Sequence, residues 1–311
     1  MSNLLSVIVP TFRRGESLPR LLHALSQQDY ENLEVIVVDQ NPDPSMPEWF
    51  RLYSDVLRLR RVCLSEPNAS LARNLGYHVS IGDVLLFMDD DLLPEADFCR
   101  RGVEVLSQHA NKVECMCPTI VVDGRVTGTE HIIDGTRLGA SSLVQLRNSI
   151  TAAVFFTRDF FGRTGGFDEL LFRFARTAED QELFFRMNRR KLAYWLDESL
   201  RVIHDESSPG GCELRTNPYW TTREKCIRSW VIRHRMHGRR GGRLGLSDIV
   251  TLACSAFLNR RVLFGGLEGI RRNVVLLLAA IRESWDVLQP HLKRYASLNA
   301  VNHLEEFVDS V

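Results

Sequence analysis

Residues 34–39 read Glu-Val-Ile-Val-Val-Asp, with no polar residue between the two acids. A strand with one solvated face alternates apolar and polar side chains. A continuous apolar run suits a parallel strand covered by helices on both faces. Working back from it, Ser6-Val-Ile-Val-Pro10 reads as a second buried strand, closed by a proline that cannot donate to a ladder. Between the two, Leu18, Leu21, Leu22 and Leu25 recur at helical spacing, with Ser17 placed as an N-cap before Pro19. Working forward, Pro42, Pro44 and Pro47 break the chain. Residues 57–64 then read as a strand, 70–80 as a helix and 83–88 as a fourth strand. The alternation β-α-β-α-β-α-β over the first ninety residues argues for an α/β fold, an open, mostly parallel sheet with helices on both faces. Ligands of such sheets sit beyond the carboxyl ends of the strands. The polar residues there are Thr11, Asp39 and the run Asp89-Asp90-Asp91.

With 311 residues the chain accommodates one large domain or two modest ones. Hydrophobic residues at 44% and charged residues at 25% exclude a disordered, collagenous or disulfide-scaffold class. The seven cysteines form no even framework, and Cys115 and Cys117 have one residue between them instead of the two of a redox or zinc pair. A reduced, cytoplasmic compartment is expected. The start MSNLLSVIVPTFRR lacks the basic region and cleavage site of a signal peptide, and no apolar run reaches the roughly 18 residues of a spanning helix.

The zero net charge is unevenly spread: residues 212–282 hold 14 Lys+Arg against 4 Asp+Glu, a local balance of 14 − 4 = +10. This stretch suits an anionic surface such as the inner face of the cell membrane, where the protein would sit peripherally, or it is a solvated helix face. No zinc finger, RNP-type strand or basic zipper is visible, so no nucleic-acid partner is expected. Further along, 113–122 and 151–157 read as strands, 178–190 as a helix and 192–204 as extended. After Pro218 the pattern turns helical and basic, with a linker at 238–245 and an amphipathic segment at 267–288. Its apolar run 274–281 is too short to span a bilayer; it either lies in the interface or packs on the catalytic domain or a second subunit. The expected division is 1–211, itself in two halves at 1–95 and 96–211, followed by a helical basic extension 212–311.

Alternation along a strand points Asp89 and Asp91 together and Asp90 away. Two carboxylates side by side repel unless a cation sits between them, and Mg²⁺ or Mn²⁺ satisfies that while leaving room for phosphate oxygens. The competing account is an acidic turn capping the next helix. The position after an apolar strand favours the metal.

Six blocks now stand in order: SVIVPTFRR, VVDQNPD at 37–43, NASLARNLG at 68–76, LLFMDDD at 85–91, GGFDE at 165–169 and AEDQELFFR at 178–186. Together they resemble the family-2 glycosyltransferases, which have the GT-A fold and transfer nucleotide-activated sugars with inversion. The resemblance covers roughly residues 4–206. It implies a nucleotide-sugar site in which Asp39 accepts a hydrogen bond from the base, which favours uracil or thymine. Pro10, Thr11 and Phe12 line the nucleotide pocket, Arg73 contacts the nucleotide, and Asn74 is structural. Asp89 and Asp91 match the outer positions of the DxD element that holds the metal, Asp90 lies on the donor, and His204 completes the metal or diphosphate site. Asp180 stands where the family places its general base, with Glu179 orienting the acceptor or an arginine. Glycines 165 and 166 let the backbone pass close to a sugar, Asp168 accepts from sugar hydroxyls, and Trp195 either stacks on a sugar or is buried. Two departures bear on the donor: Asp39-Gln40 replaces the usual acidic pair, and NASLA lacks the glycine that often follows the asparagine.

The expected reaction moves one sugar from a UDP or dTDP carrier to a hydroxyl of a glycan or lipid-linked glycan, as in a bacterial surface polysaccharide. Rhamnose, galactose or glucose fits the donor, and the oligomeric state stays open. A sugar-phosphate nucleotidyltransferase would need a glycine-rich basic loop after the first strand, where SVIVPTFRRGES has Arg13 and Arg14 but one glycine. A dinucleotide-dependent oxidoreductase would need G-x-G-x-x-G there, and none occurs. A non-catalytic scaffold of the same fold is disfavoured by the retained Asp89, Asp91 and Asp180.

Overall fold

The computed structural model describes residues 3–41, 43, 45, 47–110, 112–127, 133–146, 152–175, 177, 179–205, 224–231, 250 and 266–297. The chain divides into two compact units, 1–169 with 179–215, and 170–178 with 216–311.

In the first unit, β1 (Leu5–Thr11), β2 (Leu33–Asp39), β3 (Leu59–Cys63) and β4 (Val84–Met88) pair in parallel in the order β3-β2-β1-β4. The connecting helices are α1 (Ser17–Ser26), α2 (Glu48–Tyr53) and α3 (Ala69–Val79). Every residue of β1, β2 and β4 is buried, as their continuous apolar runs require. Val7 and Val9 pack into the layer with Leu18, Leu21, Leu22 and Leu25 of α1. Ile8, Ile36 and Val38 pack with Ala72 of α3 on the other face. α3 lies so close to β1 that a Cβ at Gly76 would meet Ile8 Cγ2 at 2.3 Å. Helix α1 begins at Ser17 itself, after Glu16, and no side chain caps it. Asn68 does cap α3, accepting from Leu71 N.

Past β4 the sheet becomes mixed. The segments are β5 (Leu92–Pro94), α4 (Phe98–Gln108), β6 (Cys115–Val122), β7 (Arg125–Thr127), β8 (Ile133–Arg137), β9 (Leu143–Leu146), β10 (Ala153–Thr157), α5 (Arg158–Thr164), α6 (Glu169–Ala175), α7 (Glu179–Arg189) and β11 (Trp195–His204). β10 runs antiparallel between β4 and β6, and β11 lies parallel to β6. Trp195 is part of the core, its indole N–H donating to Lys112 O at 3.1 Å, so it is not a stacking platform.

Two features of this topology set the site. The chain leaves β1 for β2 on one side and returns through α3 to β4 on the other, so the tips of β1 and β4 flank a topological switch point. β11 also pairs with β5, His204 opposite Leu92, which carries His204 to the turn after β4. At the opposite end of the strands, buried Glu34 accepts from Ser6 Oγ, Ile81 N and Arg60 Nη2 at 2.6, 2.7 and 2.7 Å. Burial works to raise its pKa, but these donors outweigh it and hold the carboxyl below its usual value.

In the second unit, α8 (224–231) and the long helix α9 (Gly266–Ser297) build a small apolar cluster from Ile227, Val231 and Ala280, flanked by Trp230, Leu276, Leu277 and Ile281. Arg228 joins Glu224 and Glu283. Ile270, Val274, Val275 and Leu278 remain exposed on α9. The linker expected at 238–245 and most of the basic stretch 220–243 lie outside the described residues. Among the described residues no helix is long and apolar enough to cross a membrane.

Candidate active site

The turn after β4 carries the acids. β4 ends at Met88, so strand alternation does not govern Asp90 and Asp91, which lie in the turn. Asp90 does not point away, as alternation had suggested. It is buried, accepts from Thr11 Oγ1 at 2.6 Å and faces Arg14 Nε at 3.5 Å. Asp91 meets Arg14 Nη2 at 2.9 Å and His204 Nε2 at 3.1 Å. Asp89 turns to Arg73 Nη2 at 2.8 Å, while remaining within electrostatic reach of Asp91 and His204. Burial pushes Asp89 up to about 6 against the pull of Arg73, with Asp91 adding to the rise. Burial likewise pushes Asp90 up to about 7, opposed by the Thr11 bond and Arg14.

Arg73 is the hub. Its Nη1 holds Glu179 Oε1 at 2.9 Å and its Nη2 holds Asp89, so one guanidinium joins the β4 turn to the start of α7. Each terminal nitrogen holds one acid, while the buried Nε has no hydrogen-bond partner among the described residues. Burial opposes its charge, but Asp89, Glu179 and Asp180 outweigh that and raise its pKa. Asp180 stands beside Glu179 in the first turn of α7, with Oδ1 accepting from its neighbour Gln181 N at 2.7 Å. Burial, then the charge of Glu179, raise its pKa above the usual carboxylate value; the Gln181 bond and Arg73 act the other way.

The loop between α5 and α6 is held from two sides. Gly165 and Gly166 have φ of 82° and 73°, which L side chains rarely adopt. Asn74 accepts from Phe167 N at 2.9 Å and donates to Phe167 O and Glu169 Oε1 at 2.9 and 2.8 Å. Asn74 thus ties this loop to α3. Arg186 donates to the carbonyls of Thr164 and Gly166 while paired with buried Glu182. Asp168 is buried in the same loop and adds to the charge around Arg186.

At the β2 tip, Asp39 is buried and already engaged. Oδ1 accepts from Asn41 N and Nδ2 at 3.0 and 2.6 Å; Oδ2 meets Arg61 Nε and Nη2 at 2.9 and 2.8 Å. Gln40, standing for the second acid, accepts from Asn68 N at 2.8 Å. Pro10 pairs with Val38 inside the sheet, and Phe12 is half-buried under the Arg13 guanidinium, 4.8 Å from its centroid.

The structure therefore links Thr11, Asp90, Arg14, Asp91 and His204 in one bonded group and Asp89, Arg73 and Glu179 in a second, with Asp180 within electrostatic reach of the second and Asp39 set apart with Arg61. Sequence reasoning missed Arg14, Arg61, Asn41 and the Glu182–Arg186 pair. The spacing of four between Glu182 and Arg186 was the available signal for the last. Nothing local marks Arg61, whose role arises from strand pairing.

The fit to a divalent ion can be tested on the donors. Among the described residues no group of three or more His, Cys, Asp or Glu is disposed to hold a metal. Asp91 Oδ1 and His204 Nε2 nevertheless converge to 3.1 Å. That separation suits neighbouring ligands on one octahedral ion with bonds of about 2.1 Å. The carboxylate suits Mg²⁺ or Mn²⁺, but the imidazole is not among the oxygen ligands that Mg²⁺ prefers, so the pair fits Mn²⁺ better.

The sheet order and its covering helices are those of the GT-A fold. Residues 6–171 match the model of Glycosyl transferase family 2, and the chain belongs to that family. An uncharacterized glycosyltransferase of Haemophilus influenzae is 28% identical over 202 residues, 59% of this chain and 62% of that protein. The matched part thus spans less than two thirds of that relative. The poly(ribitol-phosphate) beta-N-acetylglucosaminyltransferase TarP of Staphylococcus aureus is 27% identical over 232 residues, 70% of this chain and 69% of TarP. The crystal structure of S. aureus TarS 1–349 aligns with a TM-score of 0.60 at 18% identity, covering 94% of this chain and 87% of that one. The same TarS segment has been solved in complex with UDP-GlcNAc, with a TM-score of 0.57 and 19% identity.

Proposed function

We propose that the chain is an inverting glycosyltransferase that moves one sugar from a nucleotide diphosphate to a hydroxyl of a cell-surface glycan or its lipid-linked precursor. The observation that carries this reading is the link from the β4 turn through Arg73 to Glu179, beside Asp180. This link supports reading the acids after β4 as the donor side and Asp180 as a separate carboxylate of the same site. Asp91 and His204 would hold Mg²⁺ or Mn²⁺, which when bound would supply positive charge to the leaving diphosphate. Thr11 fixes Asp90, and Phe12 with Asp39 receives the base. The filled lone pairs of Asp39 mean that a uracil or thymine N–H replaces one present donor, the Asn41 amide being the more easily moved.

Asp180 takes the proton of the acceptor hydroxyl as its oxygen attacks the anomeric carbon opposite the nucleotide. A carboxylate with a raised pKa is the stronger base, and the positive end of α7 helps keep it ionised. Glu179, tied to Arg73, orients rather than reacts. Asp168 accepts from sugar hydroxyls. The names of TarP and the UDP-GlcNAc complex of TarS support a uridine carrier, and N-acetylglucosamine joins rhamnose, galactose and glucose as a donor to test. Residues 1–211 act as the catalytic domain and 212–311 hold the protein at an anionic membrane face.

The test is a panel of UDP- and dTDP-sugars with Mn²⁺ or Mg²⁺ and a polysaccharide or lipid-linked acceptor, following nucleotide diphosphate release and product anomer. Metal-dependent release with inverted configuration is expected; retention of configuration, or release of pyrophosphate from a nucleoside triphosphate, would overturn the reading.

A further inference from the structure

We propose that the Asn41 carboxamide sits in the seat of the nucleobase as an intramolecular stand-in for an imide edge, so that uracil or thymine enters by exchange with it. The inference rests on the nucleotide-sugar reading of the site and adds to it what the base must displace.

Asp39 has no lone pair to spare. Oδ1 accepts from Asn41 N and Nδ2 at 3.0 and 2.6 Å, and Oδ2 meets Arg61 Nε and Nη2 at 2.9 and 2.8 Å. A carboxylate offers about four such positions, and all of them are taken. The donors differ in how firmly they are held. Arg61 is anchored a second time, donating from Nη1 to Ser45 O at 2.7 Å and from Nη2 to Asp43 O at 3.1 Å. The Asn41 N–H belongs to the main chain just past β2. The Asn41 side chain is half-buried and turns on two single bonds, so it is the donor that can leave.

The other half of the carboxamide is engaged as well. Asn41 Oδ1 accepts from Arg13 N at 2.9 Å while Nδ2 donates to Asp39. These neighbours fix the orientation of the amide, since a reversed one would set its oxygen against a carboxylate and its amino group against an N–H. An N–H and a carbonyl on one carbon, spanning Asp39 and the Arg13 N–H, are also what the imide edge of uracil or thymine presents. Arg13 directly follows Phe12, the ring proposed to receive the base. Exchange therefore conserves the hydrogen bonds at both ends. The imide proton goes to Asp39 Oδ1, a ring carbonyl takes the Arg13 N–H, and the freed carboxamide is solvated. Only the fraction of molecules with Asn41 displaced is competent for the base, which lowers the apparent affinity until the side chain is removed.

The probes are UDP, dTDP and inorganic diphosphate with Mn²⁺, titrated by calorimetry on the full chain. Asn41→Ala should bind UDP and dTDP about 3–10-fold more tightly than wild type, the equivalent of one hydrogen bond no longer given up. Its affinity for inorganic diphosphate, which has no base, should equal that of wild type. A second readout uses wild type carrying isotope-labelled asparagine, followed by nuclear magnetic resonance. The Asn41 side-chain amide signal should move on addition of UDP and stay in place with UDP methylated at the imide nitrogen. UDP affinity of a folded Asn41→Ala equal to or below that of wild type overturns the inference, a lower value marking Asn41 as a ligand of the base. So does an equal gain for inorganic diphosphate, or an Asn41 signal that UDP leaves unmoved. If neither UDP nor dTDP binds wild type, the nucleotide reading falls together with the inference. Binding to wild type with any of the earlier contrary results overturns the inference alone.

Discussion

Asp180 stands in the first turn of α7 with its pKa raised by burial and by Glu179. The sign has two consequences. In its proposed role of base it must be ionised, so kcat/KM is expected to rise with pH through that raised value, with an acid limb well above the ordinary aspartate value of about 3.9. Glu179→Gln should shift that limb downward, because a neighbouring negative charge is lost; a limb unmoved in a pH–rate profile would separate Glu179 from the base. For stability, a folded pKa above the unfolded one means that the fold loses stability as pH rises from the unfolded value through the folded one. Asp180→Asn should therefore stabilise the chain at pH 7–8, by roughly 0.5–2 kcal/mol in thermal melts, with the gain fading toward pH 4. At this scale the sequence was partly legible. Asp89, Asp91 and Asp180 stood in the quoted blocks and His204 at the end of an extended stretch, but their partners did not. Arg73 read as a nucleotide contact because its two acids, Asp89 and Glu179, come from segments 16 and 106 residues away. No local pattern announces such a pairing.

Elements that lack chemistry hold those that have it. The Gly165–Gly166 loop depends on Asn74, and a Cβ at Gly166 would approach Asn74 Oδ1 to 2.8 Å on a backbone with positive φ. Gly166→Ala should cost about 1–3 kcal/mol, read in denaturant unfolding, and should raise the KM for donor more than Asn74-remote surface changes do. Across the sheet, Glu34 is an acid of the opposite sign of shift. Its lowered pKa stabilises the fold above the unfolded value of about 4.3, and that contribution is lost as pH falls through the folded value. Glu34→Gln should destabilise by about 1–3 kcal/mol at neutral pH and flatten the acid side of the stability profile. β1, β2 and β4 were readable because each is buried throughout and carries a continuous apolar run, whereas β3, Leu-Arg-Arg-Val-Cys at the sheet edge, is only partly covered. β7, β8 and β9 were not readable: they are short, and β8 carries Asp134, Gly135 and Thr136. Antiparallel edge pairing stabilises them, a contact that local composition does not encode.

At the scale of the molecule, the family assignment follows from an ordered set of blocks whose joint meaning is topological. The switch point brings the tips of β1 and β4 together, and the pairing of β11 with β5 adds His204. The second unit has its own apolar cluster and exposes Ile270, Val274, Val275 and Leu278 on α9. With the +10 balance of residues 212–282, it should bind phosphatidylserine-containing vesicles more strongly than neutral ones, and the difference should vanish by about 0.5 M salt. Salt-independent sedimentation with vesicles would contradict the electrostatic account. The most direct measurement of the whole account is sugar transfer by Asp180→Asn, with UDP affinity measured on the same sample. Turnover lower by roughly 10²–10⁴-fold at unchanged UDP affinity is the expected result; turnover equal to wild type would remove the base and with it the account.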